Sequence, residues 1–143
     1  MLLTNLEQAS SSMTIKAKYY TDELFYWAAN IIFYKREINY LQLELTKAIR
    51  NTHPDTVAVK ATKHITQLDS IYKNFCLVEP ELREQVLLLI SGNTFVKNTT
   101  VREQIEKEQK MLRQKIKHSE KEYICLSNDC YNILYECRPL AIA

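Results

Sequence analysis

The chain has 143 residues, 46% of them apolar, and a formal net charge of +2 at neutral pH. That length and composition fit one globular domain able to bury a core. The charges nearly cancel, so they are too weak by themselves to drive binding to nucleic acid or anionic lipid, and neither is expected as a partner.

Gly92 is the single glycine, and there are three prolines. Tight hairpins and phosphate-cradling loops draw on glycine, so the fold class is all-α. No apolar run approaches the ~20 residues that span a bilayer. The start, Met1 to Glu7, has neither the basic opening nor the apolar stretch of a secretory signal. Residues 1–18 are polar, with Ser10, Ser11 and Ser12 in a row, and read as a flexible arm preceding a single domain over 19–143.

The first helix is expected from Thr21 or Asp22 to Arg50. Its seam is Leu24, Trp27, Ile31, Tyr34, Ile38, Leu41, Leu45 and Ala48, in alternating steps of three and four. A corner around Pro54 follows, where Thr52 and Asp55 have capping-box spacing. The second helix carries Val57, Ala61, His64, Leu68, Ile71, Phe75 and Val78, then Leu82, Val86 and Leu89 after one extra step of four. Pro80 lacks an N–H and crowds the preceding turn, which predicts a kink or break there. Gly92 is placed to end the helix.

The third helix is expected to open at Thr100 with Glu103 as its capping box. Its seam is Val101, Ile105, Leu112, Ile116, Tyr123, Leu126, Cys130, Ile133 and Cys137, and Pro139 closes it. Short corners make successive helices antiparallel, so the expected architecture is an up-down-up bundle of three long helices. The four cysteines lie inside these helical patterns without Cys-x-x-Cys spacing. They read as reduced, buried thiols of a cytoplasmic protein.

This bundle has more apolar surface than it needs. With the first seam at a and d, Phe25 and Ile32 fall at b, Tyr26, Phe33 and Tyr40 at c, and Leu43 at f, positions that ordinarily face water. Leu87 and Leu88 add a similar surplus on the second helix. The arm, or the loop with Phe95 and Val96, is one possible cover. A second copy of the chain or another protein is the other, because contiguous exposed apolar surface on soluble proteins marks interfaces.

Chemistry-bearing motifs are sparse. Glu-x-x-His, His-Glu-x-x-His, Gly-x-Ser-x-Gly, Walker-type and dinucleotide-binding glycine patterns do not occur. His64 alone falls on a seam, where a hydrogen-bonded core role outweighs metal ligation. His118 and Glu122 have the i, i+4 spacing of a surface pair. Helix 3 alternates basic with acidic residues, the pattern of a solvated face.

The sequence therefore reads as a non-catalytic helical bundle with no cofactor or metal, acting by protein–protein interaction and forming a homo-oligomer or binding another protein. Its partner-binding residues are Phe25, Ile32, Phe33, Tyr40, Leu87 and Leu88. The alternative is a bundle holding a small apolar ligand in an aromatic-lined interior.

Overall fold

The computed structural model describes residues 2–51, 55–91 and 94–137. Among these residues the protein is all helical, with four helices and no strand: α1 (Leu2–Asn51), α2 (Asp55–Ile90), α3 (Thr94–Lys97) and α4 (Thr99–Glu136). Three long helices were expected from the sequence, and the short α3 is the addition. The expected roles of Pro54, Gly92 and Pro139 lie outside the described residues.

Helix α1 starts at Leu2 rather than at Thr21, so residues 2–18, which read as a flexible arm, are helical. Ser11 and Ser12 lie on the exposed side, where serine costs a helix little, while Met13, Lys16, Ala17 and Tyr20 are half-buried. Thr21 is inside the helix instead of capping it, and its hydroxyl donates to the Ala17 carbonyl at 2.9 Å. That back-bond satisfies a polar side chain without ending the helix.

Pro80 does not break α2, which runs through it to Ile90. Ser91 N–H then donates to the Leu87 carbonyl at 3.0 Å and closes the last turn. The start of α4 also differs from the Thr100 capping box. Asn98 is the cap: its side-chain oxygen accepts from Val101 N–H at 3.1 Å. Arg102 reaches back to the carbonyls of Phe95 (2.9 Å) and Val96 (2.7 Å), which ties α3 to the first turn of α4.

The chain forms two compact units. Unit 1 comprises Met1–Asn30 and Leu77–Ile116, and unit 2 comprises Ile31–Cys76 and Lys117–Ala143. In unit 1, Lys16 pairs with Glu106 at 2.8 Å and Glu23 with Arg113 at 2.7 Å, so α1 and α4 run in the same sense. Lys115 with Glu81 and Gln109 with Gln85 show α2 running against them.

Unit 2 repeats this pattern. Tyr34 meets Glu120 and Glu37 meets Tyr131, rising together along α1 and α4. Tyr34 meets Phe75 and Gln42 meets the Ile65 carbonyl, in opposite order along α2.

Most seam residues are buried, while Tyr34, Ala48, Val57, His64, Val101 and Cys137 are half-buried, and two further departures are informative. On α2 the buried residue after Leu82 is Gln85, and Val86 is only half-buried. The series Leu82, Gln85, Leu89 therefore keeps the regular three-and-four alternation, with no extra step. On α4 the two gaps in the apolar series are filled by Gln109 and Ser119, both buried. These positions were missed because glutamine and serine carry no apolar signal.

Candidate interaction surface

All six residues expected to bind a partner are exposed. Phe25 is 56%, Ile32 47%, Phe33 58% and Tyr40 52% accessible, and Leu87 and Leu88 are 61% and 47%. Phe25, Leu87 and Leu88 belong to unit 1, whereas Ile32, Phe33 and Tyr40 belong to unit 2. Unit 1 thus carries Phe25 on α1 and the pair Leu87 and Leu88 on α2, and unit 2 carries Ile32, Phe33 and Tyr40 on α1. The α1 group is the longer feature, because Ile15, Tyr19, Tyr26 and Leu43 on the same helix are also exposed.

Helical spacing explains why these rings face outward. An α-helix turns by 3.6 residues, so positions c and f lie nearly opposite the a and d positions that are committed to the core. Tyr19, Tyr26, Phe33 and Tyr40 recur every seven residues at c, with Asp22, Ala29, Arg36 and Leu43 between them at f. Tyr19, Asp22, Tyr26 and Ala29 in unit 1, and Phe33, Arg36, Tyr40 and Leu43 in unit 2, each follow alternating steps of three and four on the outward side of α1. A stripe of this kind is the pattern of a helix that packs lengthwise on another helix.

Neither cover considered from the sequence removes this stripe from solvent among the described residues. Residues 11–18 continue α1 itself, and the side chains of Leu2, Leu3 and Leu6 lie outside the described ones. Phe95 is buried in unit 1 against Tyr20, edge to face at 6.0 Å, on the inward side of α1.

Behind the stripe, unit 1 holds a chain of polar side chains. Gln85 Nε2 donates to the Ile105 carbonyl at 2.7 Å and to Gln109 Oε1 at 3.2 Å. Gln109 Nε2 donates to the Tyr20 carbonyl (3.1 Å) and to Glu23 (2.9 Å). Glu23 in turn receives two hydrogen bonds from Arg113, at 3.0 and 2.7 Å. Those bonds raise the Arg113 pKa, and its guanidinium also lies 5.9 Å from the Trp27 ring. The two glutamines are almost wholly enclosed, so each hydrogen bond offsets a desolvation cost.

Unit 2 is built on aromatic rings. Tyr34 lies face to face with Phe75 at 5.5 Å and 4.8 Å from Tyr123, while its hydroxyl donates to Glu120 at 2.8 Å. The Tyr123 hydroxyl is enclosed without a well-formed hydrogen bond among the described residues. Burial, reinforced by the Glu37 carboxylate, holds its pKa well above the ordinary 10.0. Burial likewise raises Tyr131.

Both raised groups favour the neutral phenol in the folded protein. Their contribution is intact below the pH at which unfolded tyrosine ionises and is lost as pH rises beyond it. Thermal melting should therefore fall as pH passes about 10. Tyr123→Phe should match the wild type, or exceed it by up to about 1 kcal/mol, near neutral pH, because it drops only the enclosed hydroxyl. It should also lose less stability in alkali. An equal alkaline loss in both proteins would show that Tyr123 is not responsible.

The cysteines are corrected by the structure. All four are free thiols, yet Cys130 alone is buried, Cys76 and Cys137 are half-buried and Cys125 is exposed. Burial pushes the Cys130 thiol up to about 11, so it remains protonated and apolar in the core. Cys125 lies beside the seam residue Leu126 at the rim of a groove facing α2, open to solvent.

His64 is half-buried rather than a core residue, and its Nδ1–H donates to the Lys60 carbonyl at 2.8 Å. Asn30 is half-buried, and His118 pairs with Glu122 on the surface. Among the described residues no group of three or more His, Cys, Asp or Glu is placed to hold a metal ion. No helix there is long and apolar enough to cross a membrane.

Three open grooves lie within single units among the described residues. One of about 420 Å³ in unit 2 is lined by Gln67, Ser70, Ile71, Glu122, Cys125, Leu126 and Asp129. A second, of about 470 Å³, lies beside Val57, Lys60, Lys63 and Ile133. In unit 1 a smaller groove of about 240 Å³ lies between α1 and Phe95. None is the aromatic-lined interior expected of an apolar-ligand carrier. No family model, curated protein or solved structure matches the chain.

Proposed function

We propose that this protein works by binding another protein chain, with self-association through the exposed face of α1 as its primary mode. The observation that carries this reading is the set Phe25, Ile32, Phe33 and Tyr40, all exposed on one helix whose opposite side is already buried. The scaffold is an up-down-up arrangement of three long helices, and α1 contributes one seam to the core and the other to the partner. Leu87 and Leu88 form a secondary contact. The free thiols fit a reducing compartment, the cytoplasm.

The driving force is hydrophobic. Removing apolar surface from water contributes roughly 25 cal/mol per Å², against which the loss of translational and side-chain freedom must be set. Aromatic residues suit this role because they carry large area on few rotatable bonds. The solution mass of the protein, measured by light scattering after size exclusion at two concentrations, tests the reading. A dimer or larger assembly is expected, and a monomer at both concentrations would overturn self-association.

A further inference from the structure

Unit 2 by itself carries two outward surfaces of opposite chemistry, and the inference drawn from them rests on the self-association reading above. The first is its stretch of α1, where Ile32, Phe33, Tyr40 and Leu43 are exposed. The exposed charged residues from Ile32 to Arg50 are Arg36, Lys47 and Arg50, all basic. The acids of this stretch are half-buried and engaged: Glu37 accepts from Tyr131, and Glu44 pairs with Lys47.

The second surface is the groove of about 420 Å³ between α2 and α4. Its floor holds the buried Ile71 and Leu126, and its charged residues are Glu122 and Asp129, both exposed. Glu122 also meets His118. The acidic character belongs to this groove and not to the next one, where Glu136 lies with Lys60 and Lys63.

We infer that the α1 face of unit 2 in one copy of this chain docks into the α2–α4 groove of unit 2 in a second copy. An apolar floor under an acidic rim is the counterpart of an apolar stripe set with basic residues, and amphipathic helices bind other chains by laying such a stripe into a groove. Placing this stretch of α1 on its own counterpart would gather basic residues with no exposed acid to meet them, which like-charge repulsion disfavours.

The two surfaces face different ways. The groove is lined by α2 and α4 alone, while α1 packs on these helices from the other side, through Tyr34 against Phe75 and Tyr123. A copy that gives its α1 face therefore keeps its groove free for another. The contact is heterologous, and copies add head to tail into a ring or a chain.

Complementation between variants tests this. Phe33→Ala/Tyr40→Ala removes the inserted rings, and Glu122→Arg/Asp129→Arg reverses the rim. Each should weaken assembly by at least about tenfold, read by light scattering after size exclusion. Mixed in equal amounts, the two should form a complex of two chains that grows no further, because one supplies an intact groove and the other an intact α1 face. All four positions are exposed, so circular dichroism should show unchanged helix. Ser70→Arg blocks the same groove from α2 and should behave as the rim variant does, which decides the matter should the rim variant lose helix.

If the alanine variant is monomeric but folded groove variants assemble like the wild type, the groove is not the receiving surface and self-association through α1 stands. A mixture that stays monomeric would overturn the inference in the same way. A wild type that is monomeric at every concentration would overturn both.

Discussion

Phe33→Glu should dissociate the assembled protein while leaving its helical content unchanged. The ring is more than half exposed and touches the seam only at its edge-to-face contact with Tyr34, 5.9 Å between centroids, so the helices keep their buried residues without it. In the self-association proposed above, the same position lies in the interface. A central aromatic anchor is commonly worth 2 kcal/mol or more, which is about thirtyfold in Kd. Glutamate also brings a charge that must be desolvated there without a partner. Concentration-dependent mass together with far-ultraviolet circular dichroism reads both halves of the prediction. Loss of helix along with loss of mass would mean that Phe33 serves the fold instead of the interface.

Gln109→Leu is expected to have the largest effect on stability, a loss of about 1–3 kcal/mol. The leucine would remove the acceptor for Gln85 and the donor to the Tyr20 carbonyl and Glu23. Gln85 would keep its 2.7 Å bond to the Ile105 carbonyl, while its second amide hydrogen would be enclosed beside a methyl group. Replacing both partners should recover part of the loss, since an apolar pair leaves fewer unmet groups than a half-broken network. Chemical denaturation of Gln109→Leu, Gln85→Leu and Gln85→Leu/Gln109→Leu measures this coupling. A double variant that loses the sum of the single effects would show that the two glutamines act independently.

The network has a consequence for how α1, α2 and α4 find their alignment in unit 1. Apolar seams slide past one another at modest cost, because leucine and isoleucine accept many neighbours. A buried glutamine that must meet a particular carbonyl and another glutamine does not tolerate such a shift, and single polar residues in helical seams are known to set register. Gln109 contacts a backbone carbonyl on α1, a carboxylate on α1 and an amide on α2, so it ties three helices at one level.

Much of the helical organisation was legible from residue order alone. Alternating steps of three and four place Leu24 to Leu45, Leu68 to Leu82 and Leu112 to Ile133 on inward faces, because helix geometry converts that spacing directly into a stripe. The same arithmetic marked Phe25, Ile32, Phe33 and Tyr40 as surplus, and the structure leaves them exposed. Helix ends were less legible: a serine run read as an arm, and Thr100 read as a cap that Asn98 provides. Serine and threonine satisfy themselves equally well at a cap or by bonding back inside a helix, so type and position alone leave their role open.

Only the tertiary structure decided which polar residues belong inside. Gln85, Gln109 and Ser119 sit at inward positions of their helices, yet each looks like a surface residue when taken singly. Their burial depends on partners distant in sequence, and for Gln109 these are Tyr20, Glu23 and Gln85. Tertiary structure likewise carried α2 through Pro80 without a break, because packing of Phe75, Val78 and Leu82 on both sides offsets one missing backbone hydrogen bond. Spacing along one helix is a local property that residue order encodes. Satisfaction of a buried polar group is a property of several helices together, and it exists only once they have packed.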